Sequence, residues 1–396
     1  MNHLSIAGGV YHESCIWPEW DHVYGSGGRA AASVVSHVGA VRLKTYCRDE
    51  TAESFRSYAE AYGFDFEPLT CEQTISFGYF HSLSVPTIYP TPSRVRQNEP
   101  ITLSDVAVLR FGMMEGSAVV HADRCVYDPQ SAFIPEPFEK NGSRANHLAV
   151  VANRGEIAAL SGISDPIAGA QALLSKGAEV VIVKSGVEGA FVVEPAGVAH
   201  VTPFQTDRVW TIGSGDVFAA IFAAQWAVHG LNAREAAVIA SNAVASYVES
   251  MALPVPAAST LLAQSRKTAA ASRSRVYIAS PFFSLGQRWV VDETRRCLRE
   301  LGLDVFSPVH DIGPGPAHEV APRDLTALDG CDTVFGIIDG SDPGTLFEIG
   351  YAKARGIAIY ALAQSVSEED LKMVLGSGCK VFDDFVTALH HVAWRT

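Results

Sequence analysis

The run SDPGTLFEIGYAKARG, residues 341–356, places one carboxylate, Glu348, between Phe347 and Ile349. A carboxylate among apolar neighbours is costly to bury unless the site uses it. Three other reactive side chains stand near strand ends in the same half: Tyr277 in VYIASPFF, Asp324 in PRDLTALDGCD, and Asp342 six residues before Glu348. In a parallel α/β sheet, residues just beyond the carboxyl ends of strands converge on one crevice, so these four can meet. Taken singly, Asp324 and Asp342 also read as ordinary cap or turn residues. A second centre lies earlier, where Gly213 and Gly215 flank Ser214 and Asp216 follows, ahead of an Ala/Phe run. Glycines at a helix start let backbone N–H groups approach an anion, and the helix dipole favours negative charge there. An Asp beside such a hole can take a proton from a hydroxyl attacking a phosphoryl group.

The elements that must hold these groups alternate. In the first half, strands are expected at 4–10, 41–47, 106–111, 125–129, 147–153, 180–186 and 190–195. Helices are expected at 28–38, 51–62, 154–161, 165–176, 215–229 and 232–249. Such alternation predicts an α/β fold with a largely parallel sheet. The small, polar and basic stretch QSRKTAAASRSR reads as a linker over 263–274, separating domains at 1–262 and 275–396. Beyond it the pattern restarts, with strands at 275–282, 303–309, 333–339 and 357–363 and helices at 289–302 and 345–355.

A chain of 396 residues is long for one compact domain. The net charge of −13 argues against a nucleic-acid or anionic-membrane surface. The seven cysteines form no CxxC pair, which fits reduced thiols in a cytoplasmic protein better than a disulfide frame or zinc site. The first fifteen residues read as a strand and not as a signal peptide, and no apolar run is long enough to predict a membrane span.

The order of pieces over roughly 1–260 resembles the ribokinase-like (PfkB) kinases of sugars and nucleosides: Gly27–Gly28, the Asp128–Pro129–Gln130 step, Asn153 with Glu156, Lys184 with Gly186 and Gly189, and Gly213–Ser214–Gly215–Asp216. The resemblance implies an α/β/α fold, ATP and Mg²⁺ as cofactors, and Asp216 as general base. It implies an anion hole at Gly213–Gly215, Asn153 and Glu156 helping to place phosphate and Mg²⁺ (Glu156 indirectly), and the Lys184–Gly189 turn near the nucleotide. Glu13, Gly27 and Gly28 would face the acceptor. The chain departs from the pattern with Glu13 for the usual Asp, Ala32 or Ser33 for an Asn, and Trp210 for an Asp.

Residues 275–385 resemble the nucleoside 2-deoxyribosyltransferases and related N-glycosidases, through VYIASPFF, Asp324–Leu325 and DPGTLFEIGYA. That resemblance implies a smaller flavodoxin- or Rossmann-like parallel-sheet domain needing no cofactor. Glu348 would attack C1′, Tyr277 would orient it, and Asp324 and Asp342 would bind the base and assist its departure. Ser280, Phe282 and Gly344 would line the substrate site. No Asn in 371–385 clearly matches the family's contact to the 5′-hydroxyl; Ser280, Ser284, Arg288 and Ser377 are candidates for that end. The partners implied are nucleosides, nucleotides or pentoses, and a second subunit in a homo-oligomer. Two readings follow: a bifunctional enzyme that phosphorylates a sugar or nucleoside and breaks an N-glycosidic bond, or an N-glycosidase whose kinase-like half senses nucleosides or nucleotides without turnover.

Overall fold

A computed structural model describes residues 2–395 and divides the chain into two units, Met1–Thr268 and Ala269–Thr396. Of the stretch expected to be a linker, Thr268 bridges to Phe204, and Ala270–Ala271 pairs with Trp394–Arg395.

The first unit is built on a nine-stranded sheet. Its first strand in the chain, His3–Ala7, third from the Asp65–Thr70 edge, lies parallel between Ala40–Cys47 and Ile101–Phe111. Outward from the latter, Ala118–Asp128, Arg144–Asn153 and Val180–Lys184 continue in parallel, and Ala190–Glu194 and Gly197–Val201 close that edge antiparallel. Val180–Ile182–Val183 and Leu4–Ile6 are buried, as strands covered on both faces require. One face packs on helices Gly25–Val34, Ser214–Ala223 and Ala233–Ser250, whose alanines let them approach closely.

Two features depart from the expected pattern. A separate four-stranded sheet, ordered Trp20–Val23, His12–Cys15, Ser76–Tyr79, Thr87–Tyr89, carries Glu13. Strands Ile101–Phe111 and Ala118–Asp128 run parallel although only residues 112–117 join them, too few for the usual crossover helix. The face such a helix would cover instead meets Phe138, in the short turn Phe138–Asn141, packed on Tyr127.

The second unit has five parallel strands ordered Asp304–Phe306, Arg275–Ala279, Thr333–Ile337, Ala358–Leu362, Lys380–Phe382. In chain order this is 2-1-3-4-5, the flavodoxin-like winding, with its switch point between the first and third strands. The fifth strand, Lys380–Phe382, is not anticipated by the sequence pattern; three residues are too short to show a period. All seven cysteines are buried. Among the described residues no single helix is long and apolar enough to cross a membrane.

Candidate active sites

In the second unit the crevice at the switch point holds Glu348. Its helix, Pro343–Ala354, starts at Asp342, which accepts from Thr345 N (2.8 Å) and Thr345 Oγ1 (3.0 Å), with Pro343 at the first helical position. Gly336 in the third strand lets this helix close in: a Cβ there would stand 2.7 Å from Ile349 Cδ1. With Ile349 seated on the sheet, Glu348 turns toward the first strand, where Tyr277 donates to its Oε1 at 2.6 Å. The flanking residues do not shield it as the apolar run suggests, since Phe347 is 62% exposed; the cover comes from the sheet side.

Burial pushes the Glu348 carboxyl up to about 7; Asp324 and Asp342 add to the rise and the Tyr277 hydrogen bond opposes it. Burial, then the Glu348 charge, raises the Tyr277 hydroxyl far above its ordinary value, so it remains a donor. Burial also raises Asp324, and its Oδ1 is enclosed without a hydrogen-bond partner. The structure therefore brings Tyr277, Glu348, Asp324 and Asp342 together. Ser280 is close to its own loop, its Oγ donating to Pro281 O (3.0 Å), and the Phe282 ring lies tilted against that of Phe283 with ring centres 5.1 Å apart. Gly344 is exposed beside Asp342. Of the candidates for the 5′ end, Ser284 caps the helix Leu285–Glu300 and Arg288 donates to Phe282 O, while Ser377 donates to Val374 O.

In the first unit Asp216 lies in the opening turn of Ser214–Ala223, and Gly213 caps that helix at φ +78°, a conformation that favours glycine. Space forbids a side chain as well, since a Cβ on Gly213 would fall 2.1 Å from Arg29 Nε. Arg29 is the residue the sequence reading missed. It is 1% exposed and joins three elements. Its Nη1 donates to Asp216 Oδ2 (2.9 Å) and Glu13 Oε1 (3.3 Å), its Nη2 pairs with Glu13 Oε2, and its Nε donates to Tyr247 OH (3.1 Å). The other oxygen of Asp216 accepts from Gln130 Nε2 at 2.6 Å. Burial raises the Glu13 carboxyl against the pull of Arg29. Burial works against the Arg29 charge too, but Glu13, Tyr247 and Asp216 outweigh it and hold the guanidinium above its usual range. A cavity of about 250 Å³ opens beside this cluster, lined by Tyr11, Glu13, Arg29, Tyr79, Gln130 and Asp216 among others.

The remaining predicted residues sit nearby or serve the backbone. Lys184 Nζ pairs with the fully buried Asp128 Oδ2 at 2.6 Å and lies 3.4 Å from where a Cβ on Gly215 would be. Asn153 and Glu156 form a reciprocal capping box on the helix Arg154–Ser161 (2.9 and 2.7 Å). Gly186 and Gly189 take positive φ in the turn after Lys184, and a Cβ on Gly189 would strike Val201 O. Gly27 and Gly28 admit the helix start against Gly8 and Phe55.

Residues 120–253 match the family model for pfkB family carbohydrate kinases, and residues 276–381 match that for nucleoside 2-deoxyribosyltransferase. One chain carries both domains. A comparison with curated proteins finds no match. Among solved structures, ribokinase from Thermotoga maritima is 18% identical, covering 66% of this chain and 99% of its own, with a TM-score of 0.45. Fructokinase from Vibrio cholerae O395, solved with fructose, ADP and calcium, is 14% identical, covering 66% and 98%, with a TM-score of 0.47. A PfkB protein from Polaromonas sp. JS666 is 16% identical, covering 67% and 100%, at 0.45.

Within the pfkB-type domain, Trp210 is buried against Trp20 (ring centres 5.3 Å apart). The ring of Trp20 also lies 5.9 Å from the Arg29 guanidinium carbon, and that of Tyr24 5.5 Å. Trp20 and Tyr24 thus wall in the arginine, and Trp210 packs on Trp20. The sequence signal for Arg29 was its position directly after Gly28, a long charged side chain inside an otherwise small-residue helix start.

Proposed function

We propose that the deoxyribosyltransferase-type unit breaks an N-glycosidic bond of a nucleoside or nucleotide with Glu348 as nucleophile. The observation that carries this is the 2.6 Å hydrogen bond from Tyr277 to Glu348 Oε1, which orients the carboxylate and leaves Oε2 to attack. Attack at C1′ forms a glycosyl ester as the C1′–N bond breaks, through an oxocarbenium-like transition state. The departing base takes its bonding pair and a proton, which Asp324 supplies; its burial-raised carboxyl suits an acid working near neutrality. Water or a second base then attacks C1′, Glu348 leaves as carboxylate, and the proton of the incoming group returns to Asp324. Asp342 caps the helix that presents Glu348 and faces the same crevice.

For the pfkB-type unit, the Arg29 cluster favours the reading without turnover: a module that binds a nucleoside, nucleotide or pentose and regulates its neighbour. Both oxygens of Asp216 are engaged, one by Arg29 and one by Gln130, so an incoming hydroxyl has to share the carboxylate with these two bonds. The Gly213–Gly215 helix start, with Lys184 near it, fits the phosphates of ATP, and Glu156 is the residue that would assist Mg²⁺. Bound nucleotide would supply a phosphoryl group or only a signal; what this chain contributes is the anion hole and the restrained Asp216.

Both readings are tested by incubating the protein with nucleosides and 5′-nucleotides, with and without ATP·Mg²⁺, following free base and phosphorylated sugar by mass spectrometry. Base release that falls about 10³-fold or more in Glu348→Ala is expected. Base release unchanged in that variant would sink the nucleophile assignment. Phosphoryl transfer that disappears in Asp216→Ala would replace the binding module with a working kinase.

A further inference from the structure

A second charged group in the first unit is buried without the partner a charge needs. Arg110, near the end of the strand Ile101–Phe111, is 4% exposed. Its Nη1 donates to Phe138 O (2.9 Å) and Ser143 Oγ (3.0 Å) and lies 3.4 Å from Asn141 Oδ1. Its guanidinium carbon lies 4.7 Å from the Tyr127 ring centre and 5.4 Å from that of Phe138. Among the described residues no carboxylate pairs with it, Nη1 alone of its three nitrogens has partners, and Nε is buried with none. The contrast with Arg29, whose three nitrogens all have partners and which faces two carboxylates, is direct.

The unused Nε–Nη2 edge is the fork with which a guanidinium grips a carboxylate or phosphate through two parallel hydrogen bonds. Arg110 also lines a cavity of about 380 Å³, together with Gly112, Ser117, Gln130, Ser131 and Glu136. Glu136 does not fill the role of counter-ion, since Lys140 Nζ holds it at 2.6 Å. Burial lowers the Arg110 pKa from its ordinary value, yet a guanidinium stays charged at neutral pH, so an uncompensated cation remains beside the cavity. The missing crossover helix between residues 111 and 118 is what leaves this face to a loop and makes room for the cavity.

We propose that this cavity is a binding site for a small molecule bearing a carboxylate or a phosphate monoester, with the acid gripped by the Nε–Nη2 edge of Arg110. Gln130 lines both this cavity and the Asp216 cavity and donates to Asp216, so the two cavities share a polar residue. The site does not depend on Asp216 catalysing anything.

The test is titration calorimetry on the full chain with ribose 5-phosphate, glucuronate and ribose. Saturable binding of at least one of the two acids, tighter than ribose, is expected, and the acid that binds identifies the group. Arg110→Met should weaken that binding roughly tenfold or more, the loss of charge-assisted hydrogen bonds. Arg110→Lys keeps the charge but not the fork and should also lose affinity, which covers the case in which the Met variant does not fold. Neither acid binding better than ribose would overturn the site. So would binding unchanged in the Lys or Met variant, which would put the acid elsewhere, at the Gly213–Gly215 helix start.

Discussion

Asp216, in the opening turn of one helix, and Glu348, midway along another, are the carboxylates at the centre of the two sites, and they are held in opposite ways. Asp216 has both oxygens bonded, one to Arg29 and one to Gln130, inside a cluster closed by Glu13 and Tyr247. Among the described residues Glu348 has a single hydrogen bond, from Tyr277, and burial, with two carboxylate neighbours adding to it, pushes its carboxyl up to about 7. One arrangement spends its acid on internal pairing; the other leaves an oxygen available and a protonation state that changes near neutrality. A carboxylate therefore reads as restrained in the first unit and reactive in the second, according to the partners around it.

The largest effect that would break this contrast is expected at Arg29. Arg29→Ala leaves Glu13 and Asp216 as unpaired acids in a buried site and should cost about 3–5 kcal/mol of first-unit stability. Hydrogen exchange in the helix Ser214–Ala223 reads this locally, without assuming that the two units unfold together. Near-native protection there would mean that Asp216 is not held by the arginine.

A third carboxylate sharpens the comparison, because Glu115 repeats the Tyr–Glu pair without the acidic neighbours. Tyr11 OH donates to Glu115 Oε2 at 2.7 Å, and burial alone pushes this carboxyl from 4.5 up to about 7. Its folded-state value is raised, so the folded protein holds the proton more tightly than the unfolded chain. That stability is fully present below pH 4.5 and is lost as pH rises through about 7, by about 3 kcal/mol in all. Glu115→Gln should flatten this slope when unfolding is followed from pH 4.5 to 8. An unchanged slope would assign the pH dependence to other groups.

Tyr277→Phe tests the reactive side. The hydrogen bond lowers the Glu348 pKa, so its loss should raise that pKa further and move the acidic limb of kcat/KM for base release to higher pH. A fall of about 10–100-fold at pH 7 is expected from the lost orientation and lost ionised fraction together. A uniform fall with no movement of the limb would give Tyr277 a packing role only.

These sites were unequally legible in the sequence. The second-unit crevice was readable because its residues sit at strand ends in a short, regular domain, and Tyr277, Asp324, Asp342 and Glu348 do converge. The major helices and parallel strands also followed from periodicity; the helix Arg154–Ser161 has the expected ends. The roles of Arg29, Glu115 and Arg110 were not readable, even with Arg29 standing out after Gly28, because they lie in contacts across 187, 104 and 33 positions, to Asp216, Tyr11 and Ser143. Local spacing carries no signal for such pairs. The small sheet bearing Glu13 was missed for a related reason: strands of three or four residues, such as His12–Cys15 and Thr87–Tyr89, are stabilised by their pairing and show no period of their own.

The smallest expected effect separates two roles for Asp342. As a cap, its Oδ2 satisfies Thr345 N at 2.8 Å, and removing it in Asp342→Ala should cost about 1 kcal/mol. As a group that binds or protonates the leaving base, it must also present a carboxyl to the crevice. Asn caps a helix about as well as Asp, so Asp342→Asn keeps the first role while removing the acid. If the residue only positions the helix, that variant should retain base release within about twofold and unfold as the parent does. If it takes part in leaving-group chemistry, kcat should fall while KM and stability hold, and the loss should shrink for nucleosides whose bases leave without protonation. Asp324, with its enclosed and unpartnered Oδ1, has no comparable structural duty, so the same Asn exchange there should reduce kcat whichever way Asp342 behaves.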